Sequence, residues 1–142
     1  MADARISIIT DWRIKDSDLP DVAPGDEFER VIAPQKFVVL RRIRVVSVLS
    51  GGDMTLVRLE IGVVKDIPFE LESTDGLVRT YRLKGLDDED LKRRLVKTGA
   101  AVATKDAIAI APALEVRTIL RNEGIRPAKP IVALLVQEEI KQ

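Results

Sequence analysis

The stretch "RRIRVVSVLSGGDMTLVRLEIG", residues Arg41–Gly62, decides the fold. Two runs rich in β-branched residues flank a Ser-Gly-Gly-Asp turn, and apolar and polar side chains alternate along both. Alternation at period two marks a half-buried strand. A short Gly-containing loop is a common hairpin connection. With Gly51, Gly52 and Asp53 as that loop, Ile43 faces Ile61, Val45 faces Leu59 and Ser47 faces Val57 on a core side. On the other side Arg44 faces Glu60, with Arg42 and Arg58 flanking the pair. A register slipped by one residue would set Arg44 against Leu59 and destroy the match. The expectation is an antiparallel hairpin with an arginine-rich outer face.

Those arginines have three possible uses. The plainest is a wet sheet face on which they pair with nearby carboxylates, each exposed pair contributing ~0–1 kcal/mol. The second is a subunit interface through Arg42, Arg44 and Arg58, since arginine is enriched at interfaces. The third, phosphate binding, has little behind it. The aromatics available for base stacking (Trp12, Phe28, Phe37, Phe69 and Tyr81) are scattered, with no basic residues interleaved. Lys plus Arg is 23 and Asp plus Glu is 23, so there is no positive excess. No direct nucleic-acid partner is expected.

Working outward, the same alternation recurs along the chain. "RISIITDWRI" (5–14) puts Ile6, Ile8, Thr10, Trp12 and Ile14 on one face. "DSDLPDVAPGDE" (16–27) is a polar loop broken by Pro20, Pro24 and Gly25. Strands follow at 28–33, 37–49, 55–64, 69–73 and 77–83. Then come two short small-residue strands turning near Lys105-Asp106, a strand at 114–122, and the apolar closing run "PIVALLVQEEI" (130–140). One helix interrupts them, at about residues 88–97. Asp87 reads as its N-cap with Asp90 three residues on, Leu86 and Leu91 take the staple positions, and Gly99 follows its end. Many short strands and one short helix define an all-β chain, an antiparallel β-sandwich or jelly-roll-like barrel. Residues 1–27 form an N-terminal strand or arm plus an acidic loop, and 28–142 form the β-sandwich domain. The arm either pairs within its own domain or adds a strand to a neighbour through an edge.

Composition excludes much chemistry. The 142 residues include no cysteine and no histidine, which removes disulfides, thiolate metal sites, Ser-His triads and the usual zinc ligands. No apolar run reaches the ~18 residues of a membrane span, so no membrane partner is expected. The opening "MADARISIIT" lacks a charged-then-apolar export pattern. Amides are scarce (Asn122, Gln35, Gln137 and Gln142) while 32% of residues are charged, the balance of a heat-adapted protein. Asp16, Asp18 and Asp21 could gather a hard cation, but they lack the glycine and distal glutamate of an EF-hand loop. A solvated acidic loop is the simpler reading. Asp87–Asp90 is explained by helix capping without a metal. No glycine loop cradles a phosphate, and no spacing nominates a catalytic acid pair. The expectation is a non-enzyme with no cofactor and no metal.

The order of "PQKFVVLRRIRVV", "MTLVRLEIGV", "AIAIAPALEVRTILRNEG" and "KPIVALLVQEEI" resembles viral β-sandwich virion structural proteins of the decoration or minor capsid type, over roughly residues 30–140. The likeness is one of strand and turn order. It implies a protein located in the virion that oligomerises, a trimer being favoured, and binds capsid protein to stabilise the capsid. With the heat-adapted composition, the virus would infect a thermophile. Candidate interface residues are Arg42, Arg44, Arg58, Ile6, Ile8 and Trp12. The alternative is a carbohydrate- or receptor-binding β-sandwich module, which would need an exposed aromatic platform drawn from Trp12 and Tyr81.

Overall fold

The computed structural model describes residues 2–9, 21–48 and 52–141. Its strands are β1 (Ala2–Ile9), β2 (Glu27–Ile32), β3 (Val38–Ser47), β4 (Met54–Ile61), β5 (Phe69–Asp75) and β6 (Val78–Leu83). After the helix α1 (Glu89–Thr98) come β7 (Ala100–Thr104), β8 (Ala107–Ile110), β9 (Val116–Asn122) and β10 (Pro130–Lys141). Trp12, Asp16 and Asp18 lie outside the described residues.

The strands build two sheets, and every named pairing is antiparallel. The larger has seven strands, ordered β1-β10-β3-β6-β5, with β8 also on β3 and β7 on β8. The smaller has three, ordered β2-β9-β4. One hydrophobic core joins them. Leu40, Ile43 and Val45 of β3, Leu134 and Val136 of β10, and Ile108 and Ile110 of β8 come from the large sheet. Leu56, Leu59 and Ile61 of β4 with Val116 and Leu120 of β9 come from the small one. The alternation read from the sequence made these faces: each strand contributes every second side chain, and burial of each removes an aliphatic group from water at ~1.5–3 kcal/mol. The fold is an all-β antiparallel sandwich with a short helix, as expected.

The central hairpin is not one. β3 pairs with β10, β6 and β8, while β4 pairs with β9 in the other sheet. Arg44 therefore lies between Ala133 and Thr80, and Glu60 lies opposite Arg117, so the expected Arg44–Glu60 pair does not form. The facing was right and the partner wrong. Val45 and Leu59 are both fully buried in the one core, but they come to it from different sheets. A bulge between Leu56 and Arg58 also shifts the alternation in β4 and leaves Val57 half-buried. Glu60, opposite Arg117, is 5% exposed. The crossing is sealed by polar groups: Met54 N–H donates to Ser47 Oγ (2.9 Å) and Leu56 N–H to Tyr81 Oη (3.0 Å). Gly52 sits against the 127–128 turn, where an added Cβ would fall 2.2 Å from Ala128 Cβ.

The helix begins one residue later than read. Asp88, in extended conformation, is the N-cap and accepts from Leu91 N–H at 3.1 Å. Gly99 ends the helix in the left-handed region at φ 103°, its N–H reaching back to Leu95 and Val96 carbonyls. Leu91 and Leu95 are the buried stripe, as the periodicity required. Arg94 ties α1 to the β4–β5 connection through Asp66 (2.7 Å).

The N-terminal strand pairs with β10 of its own chain in unbroken register, from Ala2 opposite Lys141 to Ile9 opposite Leu134. Within the loop read at 16–27, Val22 is held to the domain by a two-way backbone bridge to Ala128.

Candidate interaction surface

Registers place one row of residues straight across the outer face of the large sheet. It runs Ile8, Leu135, Arg42, Arg82, Glu70 over β1, β10, β3, β6 and β5. The residues that alternate with it, Leu134, Ile43 and Tyr81, are buried, so this row faces outward. The next row is Ala133, Arg44, Thr80 and Ser73, and the next is Ile131, Val46, Val78 and Asp75. Ile6 holds the register position opposite Gln137. The face is thus apolar toward β1 and β10, and charged toward β5.

The charged side is well paired. Arg42 makes a two-pronged contact with Glu72 (2.7 and 3.1 Å). Arg82 hydrogen-bonds Glu70, and Lys84 lies 3.4 Å from the same carboxylate. The hydrogen bonds from Arg42 hold the Glu72 carboxyl below the usual range and raise the Arg42 guanidinium in return. Those from Arg82 and Lys84 do the same to Glu70. Arg41, carried out by the β3–β10 bulge, bonds Gln137 Oε1 and approaches Asp106 at 3.7 Å.

Arg44 differs. Its Nε is buried and has no hydrogen-bond partner among the described residues. Arg79 Nη1 also lacks a well-aligned hydrogen bond, but it lies 2.6 Å from Asp53 Oδ1, so its charge is met. A buried donor without an acceptor costs about 1–3 kcal/mol. Arg44 therefore sits on the outer face, between the apolar and charged sides, with an unmet donor.

The six residues singled out from the sequence are only partly brought together. Arg42, Arg44 and Ile8 share the outer face, Ile8 at 59% exposure, and Ile6 holds a position in the same register series. Arg58 belongs to the small sheet, where its Nε donates to Glu60 Oε2 at 2.8 Å. Leu135, Ile131, Val46 and Val78 complete the face. Period-two patterning marked them as strand residues, but only the strand order shows that they adjoin.

Other candidates are accounted for locally. Asp21 pairs with Lys129 at 3.5 Å. Asp88 caps α1, while Glu89 and Asp90 pair with Lys92, Arg93 and Arg94. Among the described residues no three acids gather as a metal-holding group. Two open clefts of about 300 and 380 Å³ adjoin at Asp87 and Lys105. The first also holds Asp106, whose carboxyl the Thr104 hydroxyl keeps below its usual range. A carboxylate pair that acts as acid and base needs one member held protonated. Every described carboxyl whose ionisation is clearly shifted is shifted down. Tyr81 is buried, and burial raises its phenol. No helix among the described residues is long and apolar enough to cross a membrane.

Comparison of the chain with known protein families, with curated proteins and with solved structures gave no match.

Proposed function

We propose that the chain is a non-enzymatic building block, a virion structural protein of the decoration or minor capsid type from a virus of a thermophile. It oligomerises, binds capsid subunits through the outer face of the large sheet, and stabilises the shell. The observation that carries the binding part is that face itself: an apolar side of Ile8, Leu135, Ile131 and Val46 beside an arginine with an unmet donor. An apolar face rimmed by charge has the composition of a protein-binding surface. The virion assignment is drawn from the strand and turn order described above, and the heat-adapted source from the charge-rich, amide-poor composition. A carbohydrate-binding role is less well supported, because Tyr81, one of its two aromatic candidates, is buried with its hydroxyl engaged.

The test is quantitative mass spectrometry of purified virus particles from the organism that carries the sequence. The chain is expected at a fixed ratio to the capsid protein, retained through density-gradient purification. Absence from the particles, with the chain found free in the lysate, would refute the virion reading.

A further inference from the structure

The strand order splits the large sheet along one line. β10 takes one edge of β3 along its length, so β6 and β8 share the other. β6 reaches Arg82 opposite Arg42, and β8 resumes the pairing at Ile108 opposite Leu40. The two strands abut end to end beside Arg41, each with its own outer neighbour, β5 on β6 and β7 on β8. Between them the chain leaves for α1 and returns. The two clefts lie at this split. One wall is the end of β6 with the turn into α1, and the other is the tip of the β7–β8 hairpin. At about 300 and 380 Å³ they fall within the ~300–1,000 Å³ of small-molecule sites. Four cations, Arg82, Lys84, Lys92 and Lys105, line them against two carboxylates, Asp87 and Asp106. Arg82 and Lys84 share one acid, Glu70. Lys92 reaches the exposed Glu89 at 3.4 Å. Asp106 accepts from the Thr104 hydroxyl and is approached by Arg41. Lys105 and Asp87, the two residues common to both clefts, form no ion pair among the described residues, and Lys105 acts on Asp106 only at longer range.

We propose that the split in the large sheet binds a small phosphorylated sugar or polyol, with the phosphate on the lysines and a hydroxyl donating to the Asp87 carboxylate. The site is separate from the outer face and does not depend on the virion reading. The charges select this class of ligand. A phosphate dianion takes more than one cation, and here the cations outnumber the carboxylates. A bare phosphate would also face Asp87, which repels it. A ligand with hydroxyls beside its phosphate meets both signs, because a carboxylate accepts from hydroxyl donors. No aromatic residue lines either cleft among the described residues, so there is no ring on which a base could stack, and a nucleotide is set aside.

The experiment is an NMR titration of the intact, isotope-labelled chain with glucose 6-phosphate, ribose 5-phosphate and glycerol 3-phosphate, and with inorganic phosphate and glucose as controls. At least one of the three esters should bind saturably and move the amides of Gly85, Asp87 and Lys105. Inorganic phosphate should bind roughly 10-fold more weakly, and glucose should leave the spectrum unchanged. Lys105→Gln should weaken the best ester roughly 10-fold, the size of one charge-assisted hydrogen bond. Asp87→Asn leaves the Asp88 cap in place. It should tighten inorganic phosphate and narrow the gap between it and the ester. Both positions are exposed, and melting curves confirm that the variants fold. Failure of all three esters to saturate overturns the inference, as do shifts confined to other parts of the chain. So does inorganic phosphate binding as tightly as the best ester, or a Lys105→Gln protein that binds like wild type. A gap unchanged by Asp87→Asn overturns the role given to Asp87 and with it the choice of a hydroxyl-bearing ligand.

Discussion

Asn122 is the residue whose loss should be felt furthest from its position. It is fully buried at the end of β9 and uses its whole side chain. Its Oδ1 accepts from Asp53 N–H (3.1 Å) and Gly124 N–H (2.9 Å), and its Nδ2 donates to the carbonyls of Val22 and Arg126 (2.8 Å each). One amide thus clamps the start of the small sheet, the chain entering β4, and the loop that leads to β10. Asn122→Ala removes all four and takes their side-chain partner from the Asp53 and Gly124 N–H groups and the Arg126 carbonyl, while the Val22 carbonyl keeps the Ala128 N–H. At ~0.5–1.5 kcal/mol per hydrogen bond the sum is about 2–6 kcal/mol. Water can reach the partly exposed members, which sets the expected loss near 3–4 kcal/mol. For a chain of this length that is a melting-temperature drop of roughly 10 °C. Urea unfolding at constant slope measures it as a shift in midpoint. Asn122→Asp keeps the acceptor toward Asp53 and Gly124 but turns a carboxylate oxygen toward two carbonyls. That raises the new group's folded pKa, so the loss should shrink as pH falls. An Asn122→Ala protein within ~0.5 kcal/mol of wild type would refute the clamp.

Three other outcomes follow from the same structure. Asp88→Ala should lower stability by ~0.5–2 kcal/mol through loss of the N-cap acceptor, and Asp87→Ala should not; equal effects, or the reverse order, in urea titrations would put the cap back at Asp87. Gly52→Ala should lower stability by ~1–3 kcal/mol, because the new methyl must displace Ala128 and strain the Val22–Ala128 bridge; an unchanged midpoint would mean that the turn is not where the structure puts it. Thermal stability should be flat from about pH 6 to 9, since no histidine titrates there. Glu70, Glu72, Asp66 and Asp106 have folded values below the ordinary 4.5 and 3.8, so the stability they give is present above those values and lost as pH falls through the lower, folded ones. Tyr81 has a folded value above 10.0, so its contribution is present below 10.0 and lost as pH rises through the folded value. A melting transition that moves near pH 6.5 would contradict this.

The strands were legible because each carries its own signal. Alternating burial located β2 through β10 to within a few residues, and small, charged or Pro/Gly-containing turns separated them. Partner choice was not legible. Alternation fixes which face of a strand is buried and says nothing about which strand lies beside it. Residues 41–62 therefore read equally well as a hairpin and as two strands facing each other across a core. What separates the readings lies far along the chain, in the fit of β10 and β6 to the two sides of β3. The β4 bulge displaced Val57 for a related reason, since one extra residue puts Leu56 and Leu59 on the core side and leaves Val57 off it. Adjacent aspartates at 87 and 88 gave capping two equivalent candidates, and only backbone geometry separates them. Asn122 gave no signal beyond ending a strand, because its value comes from three loops that converge on it. The surface was half legible. Arg42, Arg44 and Ile8 were singled out and do share a face, but Leu135 and Ile131 stood in an apolar run with no alternation to assign their facing, and Arg58 fell on the opposite sheet with the failed hairpin.

We propose that the outer face of the large sheet, and not the small sheet, is the surface through which this chain contacts other subunits. Light scattering from two variants, Leu135→Lys and Arg58→Glu, tests it most directly. Leu135 lies beside Arg42 in the outward row, so a lysine there breaks the apolar side of the face without touching the core. Arg58 is similarly outward on the small sheet. Leu135→Lys should lower the particle mass to that of a single folded chain, while Arg58→Glu should leave the wild-type mass unchanged. Loss of assembly with Arg58→Glu and its survival with Leu135→Lys would contradict it.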